Sequence, residues 1–365
     1  MVRLLFDNYT YGFVVHPRRI RDLNKHFPLL KFLPKSLLEK WYEFQVPFRF
    51  SKIDGLQSKE GDKIKGISIC IPLIPTKMKR NETLAQKKIV DAIKMMDKLG
   101  VQIVGLGAFT SIVTNDGKTI ADKVNPFVTT GNAFSVAAAC QNIISLSENT
   151  GINYKEKIMS IVGAAGSVGS GCVWFFSDKV KQLRLIDINE KELNNLEDKI
   201  KIEKPESNVA KCTIKDVKTS DLVIVATNAA GTILDIDNFK KGALVVDCAQ
   251  PRNVSSLISN DRPDVIVVDS AYIQIPDLNF GYDIGNINPN EVPGCLGEVM
   301  LLSKYNYKNI NDITMKCIGK PELKQFLETI DMAEESGFKL AYYRNASGYV
   351  DEKQLNNIKD LNKAK

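Results

Sequence analysis

Along the second half of the chain, short apolar runs alternate with segments of helical periodicity. "IMSIV" (158–162) is followed by a glycine-rich turn and the apolar helical pattern "VGSGCVWFFS". "QLRLIDIN" is followed by "EKELNNLEDKIK", which is rich in good helix formers. "AKCTI", "DLVIVATN", "ALVVDCA" and "DVIVVDS" are further short runs rich in β-branched residues. Continuous apolar strands separated by helices or loops suit a mostly parallel sheet covered on both faces. The pattern predicts a doubly wound Rossmann domain over 151–288.

Upstream, "GISICIPLI" and "VQIVGLGAF" read as buried strands flanking the helical stretch "ETLAQKKIVDAIKMMDKLG". This predicts a βαβ unit in a separate N-terminal α/β substrate domain, 1–130. "TGNAFSVAAACQNIISLS" reads as a helix linking the domains over 131–150, with Thr130 as its N-cap. Residues 289–365 are expected to be helical and to return to the N-terminal domain, with the charged end "KQLNNIKDLNKAK" frayed. The expected class is two-domain α/β.

Composition narrows the function classes. The 365 residues exceed one ordinary core, and 44% apolar with 25% charged residues is ordinary globular usage. A net charge of +6 without one long basic tract argues against nucleic acid, but suits anionic small molecules or an acidic carrier. The N-terminus is interrupted by Asp7 and Asn8, so no signal peptide is expected. No run of about eighteen apolar residues predicts a transmembrane helix. Seven cysteines without a CxxC pair suit a reducing cytoplasm and argue against a zinc ribbon. His16 and His26 are the only histidines, so neither a metal site nor a Ser-His-Asp hydrolase is expected. His16 with Arg18 and Arg19 could dock a carrier or form a solvated loop. The aromatic, leucine-rich stretch 27–50 could make weak peripheral membrane contact, line an acyl tunnel, or pack over its own domain.

"GAAGSVG" spaces Gly163, Gly166 and Gly169 as G-x-x-G-x-x-G, a variant of the dinucleotide fingerprint. The first glycine allows the tight turn, the second a close approach of backbone to pyrophosphate, and the third close helix–strand packing. With Ala165, Ser167 and Val168 these residues would receive the pyrophosphate at a helix N-terminus. Asp187 ends the next strand, where a carboxylate accepts from the adenosine ribose and repels a 2′-phosphate. This favours NADH, with NADPH as the alternative and Lys191 nearby. Thr227 and Asn228 follow a later strand, where such folds line the nicotinamide side.

In "NEVPGCLGEVMLLSKYN" a thiol, Cys295, stands at the start of a helical pattern, with Glu298 one turn later. A helix N-terminus favours the thiolate, the nucleophilic form, while the stretch by itself suits a small buried core residue better. A nicotinamide domain with a cysteine suits reduction of a carboxyl derivative held as an enzyme thioester.

Four segments, "VGLGAFTSIV" (104–113), "FVTTGNAFSVAAA" (127–139), "IVGAAGSVGS" (161–170) and "PGCLGEVMLL" (293–302), resemble the signatures of the long-chain acyl-[acyl-carrier-protein] reductases. Those enzymes make fatty aldehydes. The resemblance covers about 100–305 in order and approximate spacing, and extends more loosely to shikimate-dehydrogenase-like two-domain folds. It implies Cys295 as nucleophile, Ser111 of "FTSI" at the active-site cleft, and an acyl-carrier or CoA thioester as substrate. Glu298 would orient the thiol or relay a proton, or simply favour the helix dipole. Thr110, Thr130 and Asn132 are the candidate substrate contacts. Where the cyanobacterial enzymes have a basic residue and use NADPH, this chain has Asp187. The competing functions are a shikimate- or amino-acid-type NAD(P)-dependent dehydrogenase and a non-catalytic dinucleotide sensor.

Overall fold

The computed structural model describes residues 9–19, 22, 32, 34–229, 231–270, 272–281, 288, 290–313 and 317–363. Asp7, Asn8, His26 and part of the 27–50 stretch lie outside the described residues. The chain divides into two compact units. One comprises the described residues up to Gly131 with Gln274–Gly319 and Asp331–Lys339; the other comprises Asn132–Ile273, Lys320–Ile330 and Leu340 onward. The helices are α1 (Lys35–Phe44), α2 (Pro75–Arg80), α3 (Glu82–Asp97), α4 (Phe109–Ile112), α5 (Asn132–Asn149), α6 (Ser167–Phe176), α7 (Glu190–Glu203), α8 (Ile258–Asp261), α9 (Gly294–Asn306), α10 (Leu323–Glu335) and α11 (Glu352–Lys363). None among the described residues is long and apolar enough to cross a membrane.

The main sheet of the first unit has five strands: β1 (Tyr11–Val15), β2 (Phe48–Gln57), β3 (Lys63–Cys70), β4 (Ile103–Leu106) and β5 (Phe127–Thr129). Their order is β2-β3-β1-β4-β5. β1 lies between β3 and β4 and is parallel to both, with Tyr11 opposite Gly66 and Ile103. The expected pair β3 and β4 are therefore not neighbours. "YGFVV" occupies the centre, and its short apolar run carries no periodicity that separates a strand from an N-terminal tail. Asn81 starts α3 by accepting from the Leu84 amide at 3.0 Å. Val14, Ile67, Ile69, Val104 and Leu106 of the sheet pack with Ile89, Ile93 and Met96 of α3 in one core.

Side chains alternate across a strand, so Phe13 and Gly105 face the other side. A Cβ on Gly105 would stand 2.6 Å from Phe13 and 3.2 Å from Val299 of α9. Glycine therefore lets α9 lie close on that face. α1 packs Leu38 and Tyr42 with Cys70 and leaves Leu37 and Phe44 exposed.

The second unit contains β6 (Ile158–Val162), β7 (Gln182–Ile186), β8 (Val209–Lys211), β9 (Leu222–Val225), β10 (Leu244–Asp247) and β11 (Ile266–Asp269). Every neighbouring pair is parallel. The order β8-β7-β6-β9-β10-β11 is that of a Rossmann sheet. α5 contributes Val136, Ala139 and Ile143 to the core over one face, with Val173 and Phe176 of α6. Val223, Val225 and Val245 belong to a second core with Leu234 and Phe239. The charged C-terminal segment expected to fray is α11, whose Ile358 is buried in the first of these cores.

The glycine loop shows why the spacing matters. A Cβ on Gly169 would meet the Gly163 carbonyl oxygen at 2.0 Å, whereas nothing lies within 4 Å of one on Gly231. Gly169→Ala should cost roughly 2 kcal/mol through overpacking and lower the melting midpoint by several degrees. Gly231→Ala should melt like the parent. Equal melting of the two variants would show that the loop relaxes without cost.

Candidate active site

Cys295 is the second residue of α9, behind an N-cap at Pro293 that makes no side-chain cap hydrogen bond. Two glycine turns close around it. Gly131, at φ 71°, brings its backbone so near that an added Cβ would stand 2.2 Å from the Cys295 Cα. Gly107 follows β4, and a Cβ there would lie 2.4 Å from the Phe13 ring and 3.3 Å from the Cys295 Sγ. The next residue, Ala108, holds φ at 49° without being glycine. Its amide and that of Leu296 act to favour the Cys295 thiolate.

Glu298, 1% exposed, accepts through Oε1 from the Thr129 hydroxyl. Thr129 Oγ1 in turn accepts from the Gly131 amide at 3.2 Å. A single hydroxyl thus ties the buried carboxylate to the glycine turn beside the thiol. Sequence reading did not rank Thr129, Gly107 or Ala108 as site residues. Only the quoted "GLGAFTSI" and "TTGN" segments could have signalled them.

The thiol itself departs from expectation. Burial pushes Cys295 up to about 11. The Leu296 amide, the residue's own amide and that of Ala108 oppose the shift, while the Glu298 charge adds to it. Desolvation outweighs the helix N-terminus, so the resting group near neutral pH is the thiol and not the thiolate.

The resemblance implies Thr110 as a substrate contact and Ser111 at the cleft, with a turn motif as the alternative for both. Both are buried. The Thr110 hydroxyl accepts from the Gly107 amide at 2.9 Å and donates to the Gly107 carbonyl at 2.8 Å, so it holds the turn. Ser111 Oγ donates to Asp116 Oδ1 at 3.2 Å. Thr130 does not directly precede α5, which starts at Asn132; its hydroxyl donates to the Cys317 carbonyl at 3.2 Å. The structure thus gathers Cys295, Glu298, Thr129, Gly131 and the 107–111 turn in the first unit. Asn132 belongs to the second.

The glycine loop and Asp187 also belong to the second unit. Gly166 caps α6 without a side-chain hydrogen bond, and the first amides of a helix have no intrahelical partner. A Cβ on Gly166 would meet only carbonyl oxygens, at 3.2 Å and beyond, so the protein itself leaves room in front of the turn. Asp187 accepts from the Ala165 amide at 2.9 Å through one oxygen and from the Asn189 amide at 2.9 Å through the other. Its carboxylate is therefore fixed against the loop with lone pairs to spare. A dinucleotide fits this chemistry: a helix N-terminus for phosphate and a fixed acceptor for ribose hydroxyls. Thr227 is partly buried after β9, and Asn228 is exposed.

No protein-family model matches the chain. It is 24% identical over 365 aligned positions to the aminotransferase PigE of a Serratia species, across 96% of this chain and 42% of that protein. It is 26% identical over 186 positions to the long-chain acyl-[acyl-carrier-protein] reductase of Synechococcus elongatus, across 48% of this chain and 53% of that one. The chain thus spans about half, or less, of the length of the curated relatives it matches. Among solved structures, L-tryptophan dehydrogenase from Nostoc punctiforme is 12% identical over 98% of this chain and 90% of its own, with a TM-score of 0.41. Shikimate 5-dehydrogenase from Listeria monocytogenes is 11% identical over 73% and 89%, with a TM-score of 0.35.

The electrostatics make a direct prediction. A group titrating near 11 is almost wholly protonated at pH 7, and alkylation requires the thiolate. Iodoacetamide labelling at Cys295, read by peptide mass, should accelerate about tenfold per pH unit from 7 to 10 and bend near 11. Glu298→Gln removes the charge that raises the thiol, so labelling at pH 8 should become about three- to tenfold faster. A wild-type rate that levels off below pH 8 would mean that the thiolate is stabilised after all.

Proposed function

We propose that the chain is an NAD(P)H-dependent reductase that takes an acyl thioester to the aldehyde through a Cys295 acyl-enzyme. The observation that carries the reading is the thiol at the first turn of α9, clasped by Gly131 and Gly107 and followed by the buried Glu298. The identity to the Synechococcus elongatus reductase supports it, as does the glycine loop with Asp187 in the second unit. The aminotransferase name belongs to a much longer protein, of which the chain matches 42%.

In this reading Cys295 Sγ bonds to the thioester carbonyl carbon as the C=O electron pair moves onto oxygen. The thiol proton passes to Glu298, whose Thr129 partner holds the carboxylate in place. The Ala108 and Leu296 amides, which favour negative charge at Cys295, would receive the developing oxyanion. One such donor is worth roughly a hundred- to a thousandfold in rate. Re-forming the carbonyl breaks the bond to the carrier thiol, which departs as thiolate and regains the proton. Ser111 acts through Asp116 by holding the 109–117 turn.

The glycine loop (Gly163, Ala165, Gly166, Ser167, Val168, Gly169), Asp187 and the Thr227–Asn228 loop would hold the dinucleotide, with NADH preferred over NADPH. When bound, that group supplies a hydride. Release of the aldehyde leaves Cys295 as the thiolate, which takes a proton from solvent to return to the thiol. The acyl donor is a carrier-protein or CoA thioester.

The test is a product assay with NADH and palmitoyl-CoA or an acyl-carrier thioester. Aldehyde should form in wild type and not in Cys295→Ala, which should keep its NADH affinity. NADPH should bind about ten- to a hundredfold more weakly, because its 2′-phosphate meets the Asp187 charge. Turnover of a 3-hydroxy acid without aldehyde would favour the dehydrogenase reading. Cofactor binding with no turnover of any kind would favour a sensor.

A further inference from the structure

The loops that follow β9 and β10 are joined by one buried side chain outside the residues assigned so far. Asn253 is 0% exposed. Its Oδ1 accepts from the Thr227 hydroxyl, and its Nδ2 donates to the carbonyls of Gly231 at 2.9 Å, Ala229 at 3.1 Å and Pro251 at 3.3 Å. Its own loop is anchored on Asp247, which ends β10. The Asp247 carboxylate accepts from the amides of Ala249 at 3.0 Å and of Asn253 and Val254 at 2.9 Å each. Thr227 Oγ1 also accepts from the Ala229 amide at 3.1 Å. A hydroxyl has one proton and two lone pairs. Thr227 has given its proton to Asn253 and one lone pair to Ala229, so one acceptor position is left.

We propose that Asn253 is the positioning residue of the nicotinamide half of the cofactor site, and that it fixes Thr227 as a pure hydrogen-bond acceptor. Resting on the dinucleotide reading above, this names the ligand chemistry that the 226–231 loop takes. The partner must be a donor, which on the nicotinamide ring is the carboxamide NH2. The loop cannot use Thr227 to donate to a carbonyl or a phosphate.

The experiment compares NADH with ADP-ribose, which lacks the nicotinamide and depends on the glycine loop and Asp187. Asn253→Ala should weaken NADH binding at least tenfold and leave ADP-ribose within twofold. A residue that merely stabilises the sheet would weaken both alike, and that result overturns the proposal, as does unchanged NADH affinity. Should Asn253→Ala melt before the assay temperature, Thr227→Val removes only the hydroxyl. It should weaken NADH about three- to tenfold with ADP-ribose unchanged, Thr227→Ser should restore the affinity, and an unaffected Thr227→Val overturns the proposal. A wild-type chain that binds neither ligand defeats the dinucleotide reading itself, before any substitution is made.

Discussion

The first unit depends on a contact that only a residue without a side chain permits. Gly131 carries its backbone against the Cα of Cys295, and Gly107 brings its own turn into van der Waals range of the sulfur. Together these approaches set the start of α9 directly over the ends of β4 and β5. Any side chain at Gly131 would collide with backbone, which cannot move aside as a flexible side chain would, and would also pay for φ 71°. The same closeness leaves the thiol only partly exposed to water. Burial is then what raises Cys295, and the opposing amides of Leu296 and Ala108 recover only part of that loss. A thiol held this way is protected at rest and becomes nucleophilic when its proton has somewhere to go. The neighbouring Glu298, buried and anchored by Thr129, has the chemistry to accept it.

The second unit uses glycine for the same physical end. Gly163 turns at φ 85° against the Ala226 carbonyl, and Gly169 lies on Gly163. β6 and α6 meet there. Asp187 closes the loop from β7 by accepting from Ala165 and still has lone pairs for a ligand. One carboxylate braces the loop and, in the proposed function, would also read the ribose in front of it. Across the sheet, Asp247 and Asn253 brace the loops after β9 and β10. The terminal carboxylates of β7 and β10 thus each fix a turn through backbone amides.

What could be read in the sequence follows from the range of each interaction. The Rossmann sheet was legible because six short apolar runs, a glycine turn and the Asp187 carboxylate are all local signals. The centre of the first sheet was not. β1 and β2 take their places through pairing with β3, at a sequence separation that no window of periodicity spans. Cys295 and Glu298 were visible as a pair at helical spacing, yet the sign of the thiol's shift was not, since it depends on how two distant turns enclose it. Thr130 read as a helix cap but bonds the Cys317 carbonyl instead. Thr110 and Ser111 read as cleft hydroxyls or as a turn motif, and they spend their protons inside their own turn. Asn253 stood in a polar loop with nothing local to mark it.

The account rests on Cys295 acting as a nucleophile from a half-buried, protonated start. The most direct measurement is the intact mass of the protein after incubation with an acyl thioester in the absence of any dinucleotide. The account predicts an increase of one acyl group per chain, located by peptide mapping on Cys295 and discharged when NADH is added. An unmodified mass, or an acyl group on any of the other six cysteines with Cys295 untouched, would contradict it.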